Sequence, residues 1–422
     1  MKPIVKLDRT LVAVEVDQTV HMMLELVAPA AAEVAERRPI DVVAVIDRSG
    51  SMSGEPLEAV LRATGQLAQL LGADDRLAVV TFDDSVDLVL PLAHHDAAVA
   101  RKVLGSVHSG GSTNLSGGWL KGMEILTAHG RLDALKRVLV LTDGMANVGI
   151  VDRDALAGLA SAARGQSVTT SMIGFGDGYD EQLLATMADA GGGNDYWCAG
   201  ADQATKVFAD EFAGLASVVA QNISVEIRPS DPSADFAVLN EFPITHVPGG
   251  MQVALGDAYG DERRRVVAMF EVKARPHAGP FQVAELIIRW ASVIGEVALH
   301  TVTVPVTGGA ADPALADAVV PDAEVEEHVN ILRATKLRKE AFEAERQGRR
   351  SDAIDRLSKA APLMRKAAMP APMIAELDDD IARLKRGDWH ERDMKRHYSQ
   401  ARTSSRGRKS RYDDPTTGEP QQ

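Results

Sequence analysis

Ile40-Asp41-Val42-Val43-Ala44-Val45-Ile46-Asp47-Arg48-Ser49-Gly50-Ser51 sets the reading of the whole chain. Residues 42–46 form an uninterrupted apolar run, the kind buried on both faces of a parallel sheet. Asp47 ends the run, and Ser49 and Ser51 follow at alternate positions. Open α/β sheets place their ligands at loops leaving the C-terminal ends of strands. Two hydroxyls and a carboxylate at spacing two can face one point if the loop curls. Oxygen donors without His or Cys suit a hard cation. Gly50 reads as relief at the tightest place, and Arg48 as facing solvent. Taken alone, the pattern serves equally as a helix N-cap with turn hydroxyls.

Outward from this strand, residues 40–219 alternate short apolar strands with helical patterns, the signature of an α/β unit with a parallel sheet. Strands are expected at 42–46, 77–82, 86–90, 138–141, 167–173 and 195–198. Helices are expected at 56–71, 97–104, 117–128, 153–163, 180–190 and 201–219. Glu55 and Pro56 open the first helix, where a negative charge and a missing N–H are best tolerated. Two more loops then matter. Gly110-Gly111-Ser112-Thr113-Asn114 presents a threonine hydroxyl just before a helix, and Leu141-Thr142-Asp143-Gly144 puts a second acid at a strand end. If the strand order reverses beside the first strand, these ends are neighbours and the three loops converge, which weakens the capping reading.

The segments on either side differ from the α/β unit. Runs at 4–7, 11–16 and 21–27 read as strands, as do 223–227, 253–254, 265–272, 285–290 and 297–306. Both regions flank the α/β unit directly, so one discontinuous β-sandwich interrupted by it is expected. From 322 the chain turns helical, at 324–347, 350–366 and 371–385, with joints at Gly348 and at Pro370 and Pro372. The expected division is 1–38, 39–220, 221–310, 322–387 and a disordered basic tail, 388–422. Ten Lys or Arg lie between Lys385 and Arg411. They suit a solvated end, a nucleic acid, an acidic partner, a phosphorylated regulatory segment, or the protein's own acidic surface.

Bulk properties bound the function. A chain of 422 residues implies two or three domains. A formal charge of −14 disfavours nucleic acid as a partner, the basic tail excepted. No run approaches the roughly 20 apolar residues of a membrane helix, and no signal-peptide core precedes the first strand. One cysteine, Cys198, cannot form an internal disulfide. A soluble, cytoplasmic protein without a membrane partner is expected.

D-R-S-G-S-M, G-G-S-T-N-L and L-T-D-G together resemble the metal-ion-dependent adhesion site of von Willebrand factor A (VWA) domains. The resemblance covers about 180 residues. It extends to Gly174-Phe175-Gly176-Asp177 and to 188–193, which look like the closing strand and helix of this family. It implies a doubly wound, Rossmann-like VWA domain. Carried over by residue, Ser49, Ser51 and Thr113 resemble hydroxyl ligands of Mg²⁺, Mn²⁺ or Ca²⁺, and Asp47 and Asp143 the carboxylates that bind it directly or through water. With flanking β segments, the layout resembles bacterial proteins related to inter-α-trypsin-inhibitor heavy chains and calcium-activated chloride-channel regulators. The implied function is a non-enzymatic, metal-dependent interaction module gripping an Asp or Glu of a partner protein.

Two alternatives stand beside it. A metal-dependent hydrolase would need a base, and His108 is the one nearby candidate; His94, His95 and His108 lack zinc-site spacing, and Cys198 reads as core. The other is a non-catalytic subunit of an ATPase or chelatase assembly. The chain itself has no G-x-x-x-x-G-K-[ST] loop.

Overall fold

Why residues 42–46 carry no polar side chain becomes clear from their place in the structure, a computed structural model describing residues 1–30, 37–176, 178–198, 201–294, 297–387 and 402. The chain opens with β1 (Lys2–Leu7), β2 (Leu11–Ala13) and β3 (Gln18–Val27). Then come β4 (Ile40–Asp47), α1 (Glu55–Leu70), β5 (Arg76–Phe82), β6 (Val86–Ala93), α2 (Ala97–Leu104) and α3 (Leu115–His129). β7 (Leu135–Thr142), α4 (Arg153–Gly165), β8 (Val168–Phe175), α5 (Glu181–Gly191), β9 (Gly192–Cys198) and α6 (Ala201–Ala216) complete the α/β unit. Its sheet runs β6-β5-β4-β7-β8-β9, parallel except for β6.

β4 therefore lies between β5 and β7, with Asp47 opposite Phe82 and Ile46 opposite Leu141. Its side chains alternate across the pleat. Val42, Ala44 and Ile46 join α1, α2 and α6 in one core; Val43 and Val45 join α3, α4 and α5 in the other. Each such valine or isoleucine contributes about 1.5–3 kcal/mol by leaving water. α3 comes close because Gly118 faces Phe82: a Cβ there would lie 2.5 Å from the ring. That approach sets the position of the loop in front of α3.

The remaining strands are β10 (Val218–Pro229), β11 (Phe236–Val238), β12 (Ile244–Val247), β13 (Gly250–Tyr259), β14 (Arg263–Val272), β15 (Gly279–Ser292) and β16 (Ala298–Ala311). They form two sheets with the opening strands, β1-β3-β14-β11 and β12-β13-β10-β15-β16-β2. β3 pairs with β14 from Gln18↔Val272 to Val27↔Arg263. Met22, Leu24, Val225, Val253 and Leu286 share one core between the sheets. The chain thus leaves this β structure after β3, builds the α/β unit, and returns at β10.

Some expected boundaries are corrected. The expected helix 201–219 stops at Ala216, because Val218 and Ala220 pair with Tyr259 and Ala258. Residues 253–254 lie inside a ten-residue strand, and β16 runs on through Gly308 and Gly309, which pack beside β2.

Arg137, of which 1% is exposed, ties the two parts together. Its guanidinium lies 3.8 Å from Glu211 on α6 and 3.5 Å from Asp257 on β13. A short α7 (Pro313–Asp317) precedes α8 (Ala323–Arg346), α9 (Arg350–Lys366) and α10 (Ala371–Arg386). α8 lays Val325, Val329 and Leu332 on Met23 and Val267. It also pairs Arg346 with Glu181 of α5. The expected disordered tail lies outside the described residues except for Arg402. That residue is buried, its guanidinium 2.9 Å from both Asp189 and Asp195. Among the described residues no helix is long and apolar enough to cross a membrane.

Candidate metal centre

Three loops meet at the C-terminal ends of β4 and β7, where the strand order reverses. From β4, the Asp47 carboxylate accepts the Ser49 N–H at 2.8 Å and the Thr142 hydroxyl at 2.5 Å. Ser49 and Ser51 place their hydroxyl oxygens 3.2 Å apart. The Ser51 hydroxyl donates to Asp143 at 2.7 Å across the loops. Thr113 joins them through Gly144: a Cβ on that glycine would sit 3.3 Å from Thr113 Oγ1 and 3.6 Å from Ser51 Oγ. The five expected residues Asp47, Ser49, Ser51, Thr113 and Asp143 are thus brought to one place.

The loops hold each other through their backbones. Gly50 N–H donates to Gly111 O, and Gly110 N–H donates to Arg48 O. Asn147 and Val148 N–H both donate to Thr113 O, while Thr113 N–H donates to Asn147 Oδ1. Helix capping does not account for the hydroxyls. Ser49 stands before a single 3-10 turn, Gly50–Met52, without a side-chain cap bond, and α1 starts from Gly54, also without one.

Two expectations about this loop are corrected. Arg48 does not face solvent; it bonds to Asp83, Ser85 and Asp87, which leaves its side chain 19% exposed. Gly50 needs no special conformation, since a Cβ there would meet Gly110 O at an ordinary 3.4 Å and its φ is not positive. Residue 177 of the expected closing strand lies outside the described residues.

The electrostatics single out this place. Asp47 has no exposed surface. Burial pushes its carboxyl above the usual range; bonds from Ser49 and Thr142 pull it down, and the charge of Asp143 adds to the rise. Burial likewise pushes Asp143 up, against the Ser51 bond. Among the described residues neither carboxylate has an ion pair. The other buried acids do face basic side chains: Asp8 with His21, Glu25 with Arg265, Asp41 with Arg76, Asp75 with Arg37, and Asp83 with Arg48. So do Glu181 with Arg346, Glu211 and Asp257 with Arg137, Glu226 with Arg289, and Asp380 with Arg338. A buried carboxylate without a cation is costly. This site therefore fits a cation supplied from outside, and its all-oxygen donor set suits a hard one.

No three of His, Cys, Asp or Glu gather as a metal cluster among the described residues; three of the five expected donors are hydroxyls. The histidines stand apart from the bonds of this site. His108 and His94 are exposed, and His95 bonds to Leu77 O and Pro91 O. Cys198 is core, its thiol pushed up to about 12 by burial.

Thr142 was not among the expected site residues, although it fixes Asp47 from the neighbouring strand. Its signal was the hydroxyl directly before Asp143. Asn147, which holds Thr113, carried no such signal, because its role follows from the fold of a long loop.

Comparison with known proteins bears on this unit. A family model for the von Willebrand factor type A domain matches residues 41–210. An uncharacterized protein of Synechocystis sp. is 28% identical over 264 residues, covering 58% of this chain and 60% of its own length. Inter-alpha-trypsin inhibitor heavy chain H3 of Mus musculus is 28% identical over 161 residues, covering 36% of this chain and 18% of its own. The chain thus spans less than two thirds of either relative. A solved structure, von Willebrand factor type A from Catenulispora acidiphila, superposes with TM-score 0.75 at 16% identity, covering 97% of each chain. That likeness speaks for the fold.

Proposed function

Residues 41–210 form a von Willebrand factor type A domain, and on that premise we propose that the chain is a metal-dependent protein-interaction module. Asp47, Ser49, Ser51, Thr113 and Asp143 hold one divalent cation, with Mg²⁺ the first candidate and Mn²⁺ or Ca²⁺ its alternatives. The observation that carries this is Asp47, a fully buried carboxylate with no cation among the described residues, beside Asp143 and three hydroxyls. Two carboxylates balance a divalent charge, and the hydroxyls add neutral oxygens. Thr142 and the Ser49 N–H orient Asp47, and Ser51 orients Asp143.

Held by these carboxylates and hydroxyls, a bound ion would supply positive charge to attract a carboxylate oxygen. An Asp or Glu on the partner protein provides that oxygen. Around it, the Ser49 and Ser51 hydroxyls are engaged with each other and with Asp143, and His108 is exposed. The reading is therefore binding without turnover. A reducing, cytoplasmic setting goes with it, supported by the single buried Cys198.

The test is cross-linked affinity capture with wild type and Asp47→Ala, each in Mg²⁺ and in EDTA, read by mass spectrometry. A partner retained only by wild type in Mg²⁺ is expected. Identical capture under all four conditions would remove the ion from the account.

A further inference from the structure

The loop that follows Asp143 carries exposed apolar side chains on a hydrogen-bonded backbone. Met145, Ile150 and Val151 are 62%, 37% and 51% exposed and fall within one short loop segment. The loop is pinned. Asn147 and Val148 N–H donate to Thr113 O at 3.2 and 3.3 Å, and Ile150 N–H donates to Ser116 Oγ at 2.8 Å. Its backbone is thus fixed to the segment that presents Thr113, while these three side chains pack into no core. Met145 lies two residues from Asp143, within roughly 7 Å along the chain.

The other side of β4 is its opposite in character. There Arg48 faces Asp83 and Asp87, and exposed Asp84 lies against Gly111, so three carboxylates stand against one guanidinium. A second acidic group on a partner would be repelled from that side.

From this asymmetry we infer that the partner presents a single Asp or Glu flanked by a large apolar side chain, which seats on Met145, Ile150 and Val151. This rests on the metal-bridged reading above and adds the chemistry of its ligand. Exposed apolar patches beside a polar anchor mark binding surfaces, and methionine adapts to varied shapes.

The probes are synthetic peptides of equal length and charge with one Asp, flanked either by Leu and Phe or by Ser and Gly. Binding is followed by fluorescence anisotropy in excess Mg²⁺ and in EDTA, and Mn²⁺ binding alone is measured by calorimetry. Wild type should bind the apolar-flanked peptide about ten-fold tighter. Met145→Ser/Ile150→Ser should level the two peptides while taking up Mn²⁺ as wild type does. Equal affinity for both peptides, no binding of either, or a preference that survives in the variant would overturn the inference while Mn²⁺ still binds. Failure of wild type to bind Mn²⁺ would instead overturn the metal reading, and this inference with it.

Discussion

Asp47→Asn should change stability in opposite directions with and without a divalent ion. Asparagine keeps the shape of the side chain and an oxygen for the Ser49 N–H. Its amide can donate to Thr142, whose hydroxyl is then free to turn toward Gly144 O, 3.4 Å away. Without an ion, wild type carries a carboxylate that burial, and then Asp143, push above its usual range. Removing that charge should raise the melting temperature of ion-free protein. With Mg²⁺ at a hundred-fold excess over its Kd, wild type should gain ~2.7 kcal/mol by mass action. For a domain of this size that corresponds to roughly 5–10 °C. The variant has lost one of the two charged donors, and at its own Kd or below it would gain less than ~0.5 kcal/mol. Trp119, buried in α3 with its Nε1 3.1 Å from Thr170 Oγ1, reports on this domain by fluorescence. Hydrogen exchange of β4 and β7 peptides would localise the effect. The reasoning fails if ions raise the melting of both proteins equally, or of neither.

Other outcomes follow from the surrounding charges. Burial alone would raise the Asp83 carboxyl, but the N–H and hydroxyl of Ser85 and the Arg48 guanidinium outweigh it and hold it at about 2. Its folded pKa is below the unfolded one. Its contribution of ~2 kcal/mol is complete above about pH 4 and is lost as pH falls toward 2. Arg48→Ala should therefore raise the midpoint of acid unfolding followed by circular dichroism; an unchanged midpoint would contradict the assignment. Arg137→Met would leave Glu211 buried without its cation and weaken the pairing of Asp257, at about 3–5 kcal/mol in urea unfolding. Adding Glu211→Gln should recover part of that loss. A variant as stable as wild type would show that this cluster does not join the α/β unit to the β structure.

Much of the site could be read from the chain because its residues are set by local pattern. Apolar runs ending in Asp47 and in Thr142-Asp143 announce strand ends, and the glycines before Thr113 announce a loop. What escaped was set by distant pairing. Arg48 looks free in sequence, yet its partners Asp83 and Asp87 come from the β5–β6 turn and from β6. The Arg137 cluster joins β7, α6 and β13 across a span of 120 residues, with no motif to signal it. The start of β10 reads as helix in sequence, since Val218-Val219-Ala220 is apolar in either form and only pairing with β13 decides.

A crystal soaked in Mn²⁺ and measured at the manganese absorption edge addresses the ion itself. The account predicts one anomalous peak among the oxygens of Asp47, Ser49, Ser51, Thr113 and Asp143, and its loss in Asp47→Ala. No peak there under saturating Mn²⁺, or a peak that persists in the variant, would contradict it.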